Sequence, residues 1–259
     1  MYWPGNAAKM EVVARLVELV KGRDAPLKVF DYGCGSGGDW PRILAEVDGF
    51  EVVGYEPNER YAAEARRRLD GTATILSGDS LDGLDLAADV IVSFSVFEHV
   101  YDRRAYLATA KRLLAPDGTF YLNYDDGHFR IRLELDRPGK WLEHGRVAAH
   151  NAIAPTLARI GRIATYQRRV ARADADAMVA EAGFTCGEVF YSNLGDAKGL
   201  YRTIPEDRRD EFCQAWVDFE RRLNERSLVE MAAADRGDTA NLWSVMPSRT
   251  LVLTHADHA

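Results

Sequence analysis

The sequence predicts an α/β fold with a doubly wound, mostly parallel sheet, and three observations carry this prediction. Residues 28–40, KVFDYGCGSGGDW, pass from an apolar, strand-like segment into a glycine-rich loop and then into the start of a helix. Short apolar segments alternate with helical patterns from residue 27 to residue 124. The segment Asp89–Phe94 is apolar on both faces, which is typical of a central parallel strand. Because the 259 residues contain no linker, repeat or low-complexity tract, we expect a single domain over residues 1–259.

The elements of the first half follow from apolar periodicity and from capping residues. A helix with apolar residues at helical spacing is expected to begin after Asn6 and to end near Gly22. Asp39, Asn58 and Asp102 are expected to cap the helices that follow the first, second and fourth strands. The predicted strands are 28–32, Glu51–Tyr55, Thr72–Leu76, Asp89–Phe94 and Thr119–Tyr124.

The second half predicts two more strands and two helices. The helix Asp174–Ala182, closed by Gly183, precedes the strand Thr185–Tyr191, and Arg249–Thr254 is the last strand. A long helix is expected to start at residues 203–207, where a proline and two acids suit a first turn. Its aromatic and apolar stripe is predicted to face the core, and consists of Phe212, Trp216, Phe219 and Leu223.

The glycine loop by itself fits two kinds of nucleotide site. Gly33, Gly35 and Gly38 satisfy the G-x-G-x-x-G pattern of dinucleotide sites, and Glu56 lies about 20 residues further on, where a ribose-binding acid belongs. Asp31, Gly33, Gly35 and Gly37 instead form D-x-G-x-G-x-G. In that form the segment resembles motif I of the class I S-adenosylmethionine (SAM) methyltransferases.

Three later segments favour the second interpretation. Gly78-Asp79-Ser80, the run SFSVFEHV at residues 93–100 and LLAPDG at residues 113–118 resemble the later motifs of class I SAM methyltransferases. The sequence also lacks the Tyr-x-x-x-Lys pair that a short-chain dehydrogenase would use. The resemblance implies a Rossmann-like, seven-stranded sheet of order 3-2-1-4-5-7-6, an antiparallel last strand, and SAM as the cofactor. It also implies helical insertions after strands 5 and 6, at about residues 125–172 and 203–233, the first as a lid over the acceptor site.

The candidate cofactor residues also make sense from the chemistry of SAM. Glu56 can accept both ribose hydroxyls, and Asp79 can accept from the adenine amino group while Ser80 serves a ring nitrogen. The glycine loop can approach the ribose and methionine portions, and Asp31 can anchor that loop or face the ammonium group. Each carboxylate could instead cap a helix or be solvated. The predicted cofactor-binding residues are Asp31, Gly33, Cys34, Gly35, Gly37, Glu56, Pro57, Asp79, Ser80 and Ser95.

The candidate catalytic residues are those that follow the fourth and fifth strands. A hydroxyl acceptor needs a general base, and His128 is preferred for that role over His99, with Asp125 as a further candidate. Asp125, Asp126 and His128 could also hold a divalent metal ion, but no second cluster of ligands supports one, so no metal is expected.

Charge and composition limit the function further. The net charge is −7, which argues against a generic nucleic-acid binder. No apolar run is long enough to span a membrane and no signal peptide is apparent, so we expect a cytoplasmic protein without a membrane partner. Residues 128–172 carry ten basic residues against three acidic ones, which suits an anionic acceptor or a solvated helix face.

The sequence therefore predicts a methyltransferase that acts on a small polar acceptor, with O-methylation favoured over N-methylation. A sugar, a nucleotide sugar or a carboxylate fits the basic segment. An NAD-binding oxidoreductase and a non-catalytic scaffold subunit with this fold are the alternatives, and the oligomeric state stays open.

Overall fold

The computed structural model describes residues 7–38, 40–78, 81–125, 170–194, 197–234 and 246–256, together with isolated positions between 145 and 157. Its strands are β1 Leu27–Tyr32, β2 Phe50–Tyr55, β3 Thr74–Leu76, β4 Ala88–Phe94, β5 Leu114–Asp125, β6 Phe184–Ser192 and β7 Ser248–His255. Its helices are α1 Ala7–Val20, α2 Trp40–Glu46, α3 Glu59–Arg68, α4 Arg103–Leu113, α5 Arg172–Glu181, α6 Ala197–Thr203 and α7 Arg209–Ala234.

The described strands form one seven-stranded sheet in the order β3-β2-β1-β4-β5-β7-β6. The first five strands pair in parallel, whereas β7 runs antiparallel to both β5 and β6. The chain reverses its direction of winding between β1 and β4, so their carboxyl ends flank the crevice where open α/β sheets bind ligands. The predicted fold class and strand order are confirmed.

Helices cover both faces of the sheet. On one face α1, α2 and α3 bury a cluster that includes Leu16, Ile43 and Ala65 against the sheet. On the other face α4 and α5 bury a second cluster, which includes Leu107 and Val179. Residues that alternate along β1 separate into the two clusters, since Val29 belongs to the first and Phe30 to the second. This arrangement leaves the carboxyl ends of the parallel strands as the place for a ligand.

Two capping predictions are confirmed by hydrogen bonds. Asn58 accepts from the backbone N–H of Arg60 at 3.0 Å, at the start of α3. Asp102 accepts from the backbone N–H of Ala105 at 2.9 Å, at the start of α4. The predicted caps Asn6 and Asp39 lie outside the described residues.

Strand β5 begins earlier than predicted. Residues 115–118 were expected to form a turn before a strand at Thr119, but Leu114 already pairs with Ala88. The pairing resumes between Val90 and Thr119, so the residues between form an irregularity within the strand. Residues 115–118 have the composition of a turn, but β4 already begins at Ala88 and pairs with β5 both before and after these residues.

The long helix also differs from its prediction. It begins at Arg209, after α6 and a 3₁₀ turn at Glu206–Arg208, because Pro205 starts that turn instead of the long helix. Its buried face consists of Cys213, Val217, Glu220 and Asn224, one residue further along than the predicted stripe. Of the predicted stripe, Phe219 is exposed while Phe212, Trp216 and Leu223 are half-buried. The prediction that this stripe faces the core is wrong.

Helix α7 is attached to the edge strand β6 through the side chain of Asn224, which forms hydrogen bonds with the strand's backbone as a neighbouring strand would. The Oδ1 atom of Asn224 accepts from the backbone N–H of Tyr191 at 2.7 Å, and its Nδ2 atom donates to the Tyr191 carbonyl at 2.8 Å. Nδ2 also donates to the Glu220 carbonyl at 2.8 Å, within the helix. Buried backbone groups of an edge strand need partners, and one asparagine supplies two of them here.

Replacement of Asn224 by Ala is expected to lower the free energy of unfolding by about 1–3 kcal/mol, because it removes a buried partner from two backbone groups. Urea unfolding measures the change. Glu225→Ala is the matched control, since Glu225 is adjacent on the same helix and exposed. Equal stability of the two variants would show that the Asn224 bonds contribute nothing.

Candidate cofactor and active site

The glycine loop is fixed to the end of β2 by backbone hydrogen bonds. The N–H groups of Gly33 and Cys34 both donate to the carbonyl of Tyr55, at 2.9 and 3.0 Å. The N–H of Gly37 donates to the Cys34 carbonyl at 3.0 Å, which folds the loop back on itself. The loop therefore connects β1 to α2 and lies against the end of the neighbouring strand β2, with its path set by main-chain contacts.

Two loop glycines are needed for different reasons. Gly33 has φ of +101°, and a Cβ atom there would lie 2.4 Å from Cγ2 of Val96. Gly35 has φ of +55°, but a Cβ atom there would meet no atom within 4 Å. Gly33 is thus required by close packing, whereas the backbone at Gly35 borders open space that a ligand can enter.

The carboxylate of Glu56 is oriented by the backbone on both sides of it. Its Oε2 atom accepts from the Gly35 N–H at 3.1 Å, and its Oε1 atom accepts from the Asn58 N–H at 2.9 Å. Each carboxylate oxygen has a further lone pair, so these bonds leave capacity to accept a hydroxyl. Glu56 therefore couples the glycine loop to the start of α3.

Asp31 is buried at the end of β1, with 6% of its surface exposed. Its Oδ2 atom accepts from the indole Nε1 of Trp40 at 2.6 Å, across the glycine loop. Cys34 packs against β2, where a Cβ atom at Gly54 would lie 2.9 Å from its sulfur. Burial raises the pKa of the Cys34 thiol, so the thiol stays protonated and is unreactive at neutral pH.

Ser95 follows β4 in an unusual backbone conformation. Its φ is +53°, its side chain is exposed, and its N–H donates to the Asn123 carbonyl at 3.3 Å. A non-glycine residue with this φ stores strain, which is often found at ligand sites. Gly78, after β3, has φ of +121° and its carbonyl accepts from the Tyr55 hydroxyl at 2.6 Å.

Glu98 is buried where the chain leaves β4. None of its surface is exposed, and neither carboxyl oxygen has a hydrogen-bond partner in the described part of the chain. Its pKa is raised to about 8, chiefly by burial and to a smaller extent by the negative charge of Asp125, while Arg103 opposes the shift. The neighbouring His99 is half-buried, and its backbone N–H donates to the Val96 carbonyl at 2.8 Å. Glu98 is thus a neutral carboxylic acid over most of the physiological range.

Asp125 ends β5 and belongs to a chain of hydrogen bonds that reaches α7. Its Oδ2 atom accepts from Nδ2 of Asn193 at 3.0 Å. The N–H groups of Asn193 and Leu194 donate to Glu220 at 3.3 and 2.8 Å, and the Trp216 indole donates to Glu220 at 2.9 Å. Burial raises the pKa of Glu220 to about 7.

The sequence analysis did not identify Asn193 and Glu220 as site residues. The only local signal is the Asn-x-Gly turn after β6, and φ of +65° at Asn193 agrees with it. Nothing along the chain indicates which acidic residue of α7 faces this turn. These contacts depend on how α7 docks, so they appear only in three dimensions.

The described predicted residues gather at one edge of the sheet. Asp125 is the last residue of β5, Ser95 and His99 follow β4, and the others surround the ends of β1 and β2, namely Asp31, Gly33, Cys34, Gly35, Gly37, Glu56 and Pro57. The predicted residues Asp79, Ser80, Asp126 and His128 lie outside the described residues. Among the residues that are described, no three His, Cys, Asp or Glu side chains group as metal ligands. None of the helices described combines the length and apolar character needed to cross a bilayer.

A glycine loop and an acid that lie together at the carboxyl ends of neighbouring strands of a doubly wound sheet are typical of proteins that bind nucleotide-type cofactors. The chain belongs to the methyltransferase domain family, whose model matches residues 6–185. It is a SAM-dependent methyltransferase, and SAM is its cofactor. The dehydrogenase interpretation of the glycine loop is thereby set aside.

Several known proteins are similar to this chain. A trans-aconitate 2-methyltransferase of Methylobacterium nodulans is 28% identical over 195 residues, which cover 75% of this chain and 71% of the relative. A malonyl-[acyl-carrier protein] O-methyltransferase of Geobacter sulfurreducens is 26% identical over 190 residues, covering 71% of this chain and 66% of the relative. The chain spans about half the length, 52%, of the trans-aconitate 2-methyltransferases from two Acidovorax strains.

Solved structures share the fold. A methyltransferase in complex with the Haloferax volcanii Trm112 methyltransferase activator superposes with a TM-score of 0.54 at 19% identity. The match covers 99% of this chain and 91% of that one. At this identity the likeness concerns the fold.

The buried acid Glu98 predicts a dependence of stability on pH. Its pKa rises from an ordinary value of 4.5 in the unfolded chain to about 8 in the folded one. The folded state therefore holds more protons, so this contribution to stability is complete below pH 4.5 and is lost as the pH rises to about 8. Glu98→Gln, which stays neutral, is expected to reduce the loss of stability between pH 5 and pH 8.

Thermal unfolding of the parent and the variant at several pH values measures this effect. Glu51→Gln is the control, because Glu51 is exposed on β2 and its replacement should leave the pH dependence unchanged. Curves for the parent and Glu98→Gln that stay parallel over this range would contradict the assignment.

Proposed function

We propose that this enzyme transfers the methyl group of SAM to an oxygen of a small anionic acceptor, with a carboxylate as the first choice. The observation that carries the proposal is the activity named for two relatives, each of which matches more than two thirds of this chain. One is named for trans-aconitate, a polycarboxylate, and the other for O-methylation of a malonyl group, which ends in a carboxylate. A sugar-like hydroxyl acceptor and an amine are the alternatives.

The charge distribution supports an anionic acceptor. Residues 128–172 carry ten basic and three acidic side chains in a chain whose net charge is −7. The described residues at the strand ends are mainly acidic, with Asp31, Glu56 and Asp125 among them. An anion would therefore rely on the basic segment for its binding, and this segment is the proposed lid, at about residues 125–172.

The chemistry of a carboxylate acceptor is simple. Methyl transfer from a sulfonium is an in-line displacement, in which an oxygen lone pair forms the new bond while the carbon–sulfur bond breaks. A carboxylate is ionised at neutral pH, so it attacks without losing a proton, and the reaction neutralises a cation and an anion together. The protein then needs to align the two reactants and exclude water. A hydroxyl acceptor would additionally need a base, for which His128, His99 and Asp125 are the candidates.

The proposed cofactor contacts follow from the loop geometry. The two oxygens of Glu56 accept the ribose hydroxyls, and the open side of Gly35 borders the ribose and methionine portions. Asp31 and the strained Ser95 lie at the methionine side of the crevice, and Asp79 with Ser80 reads the adenine. The whole chain acts as one domain, residues 1–259, with α7 as part of the second insertion.

The acceptor class can be tested with matched compounds. Trans-aconitate, its trimethyl ester, a neutral polyol of similar size and a primary amine would each be incubated with the enzyme and methyl-labelled SAM. The carboxylate is expected to give S-adenosylhomocysteine together with a labelled methyl ester, identified by mass spectrometry. Heat-inactivated enzyme is the control. Turnover of the polyol or the amine without turnover of any carboxylate would overturn the proposed acceptor class.

The proposed role of Glu56 predicts a loss of SAM affinity. Glu56→Ala removes an ionic acceptor for the ribose and is expected to weaken SAM binding by about 1–3 kcal/mol. Calorimetric titration with SAM measures it. Glu51→Ala removes the same charge from an exposed position of β2, the strand that precedes Glu56, and is expected to bind SAM normally. Unchanged affinity in a folded Glu56→Ala variant would rule out the assignment.

A further inference from the structure

Trp40 reaches back across the glycine loop from the first turn of α2. Its Nε1 atom donates to Oδ2 of Asp31 at 2.6 Å, and the two residues are nine positions apart. Both residues are 6% exposed, so the bond is shielded from water. Trp40 is not among the residues proposed above to contact the cofactor.

This hydrogen bond joins Asp31, just before the glycine loop, to Trp40, just after it. The loop contains Gly33, Gly35 and Gly37, which all have positive φ, and glycines have the largest backbone freedom to lose on ordering. Bonds to the Tyr55 carbonyl hold the start of the loop, and the bond from Gly35 to Glu56 holds its middle. The bond between Trp40 and Asp31 ties the far end of the loop back to β1.

The position of the indole is set by packing. Its ring meets Phe50 edge-on with centroids 6.4 Å apart, and it belongs to the buried cluster that includes Ile43 and Val52. An indole N–H can only donate a hydrogen bond, and a buried carboxylate needs donors, so Trp40 is always the donor and Asp31 the acceptor. The core between α2 and the sheet thus fixes Trp40, and Trp40 in turn fixes the carboxylate of Asp31.

We propose that Trp40 is a positioning residue of the cofactor site, which holds the glycine loop in its SAM-binding conformation through its hydrogen bond to Asp31. This inference rests on the proposed role of the loop and of Asp31 in binding SAM. A loop ordered before binding has less entropy to lose when the ligand arrives, so the bond contributes to affinity without touching SAM. Removal of the donor leaves the loop covalently intact but takes away this bond between its far end and β1.

The first test is the SAM affinity of Trp40→Phe, measured by calorimetry well below the unfolding temperature. Affinity is expected to fall about tenfold, which is the usual effect of losing a hydrogen bond to a charged group. Phe120→Leu is the control for lost aromatic packing, because Phe120 is buried in the cluster on the other face of the sheet, where its ring packs against Phe184. This control variant is expected to bind SAM as the parent does.

The second test separates positioning from general stability. Amide hydrogen exchange of residues 33–38 in the free protein is expected to be faster in Trp40→Phe, with exchange in β5 and β7 unchanged. A variant with a lower unfolding temperature but normal SAM affinity and normal loop exchange would overturn the inference. If Trp40→Phe does not fold, benzothienylalanine at position 40 removes the N–H donor from a ring of the same size, and the same two measurements decide.

Two further variants distinguish this inference from the cofactor site on which it rests. Asp31→Asn keeps an oxygen that can accept from Trp40 but removes the charge, and Glu56→Ala removes the proposed ribose acceptor. If both bind SAM normally, the proposed cofactor site is wrong. If both are weakened and Trp40→Phe is not, the cofactor site stands and the role of Trp40 is refuted.

Discussion

The cofactor site depends on the carbonyl of Tyr55, which accepts the N–H groups of both Gly33 and Cys34. These bonds can form only because β1 and β2 are parallel neighbours whose last residues, Tyr32 and Tyr55, pair with each other. The glycine loop then turns at the point where Glu56 leaves β2, and a side chain from one strand meets the backbone of the next. Strand order thus fixes the loop, and the loop fixes the place of the Glu56 carboxylate.

The acidic lining of this edge suits the cofactor better than it suits an anionic acceptor. SAM carries a sulfonium and an ammonium group, so at the proposed site the carboxylates of Asp31, Glu56 and Asp125 at the strand ends would favour its binding. The same charges would repel a carboxylate. The raised pKa of Glu98 removes one negative charge from this edge, and the ten basic residues of 128–172 offer compensation within the chain. In the proposed function, the acidic strand ends attract the cofactor and the basic segment 128–172 attracts the acceptor.

Local signals in the sequence predicted the parts of the fold that depend on neighbouring residues. The caps at Asn58 and Asp102 and the glycine loop after β1 follow from the residue types alone, and Gly33, Gly35 and Gly37 of that loop have positive φ. The strand order came from the family resemblance and is confirmed by the pairing. The face of α7 was wrong because an aromatic stripe predicted burial, whereas docking placed a polar face with Glu220 and Asn224 inward. Such a face is recognisable only when its partners, the backbone groups of β6 and its loop, are known.

The docking of α7 also shows which interactions matter most at this end of the sheet. Arg221 and Arg15 form ion pairs with Glu11 and Glu188, but these side chains are partly exposed, and such pairs contribute about 0–1 kcal/mol each. The bonds between Asn224 and Tyr191 are buried, and the N–H of Leu194 donates to the buried carboxylate of Glu220 in a partly buried contact. Breaking these bonds leaves polar groups without partners. The buried bonds therefore set the position of α7. Since Asn193 bonds to both Asp125 and Glu220, the same docking also fixes the polar edge of β5 next to the crevice. The helix that secures the edge strand is in this way part of the frame of the active site.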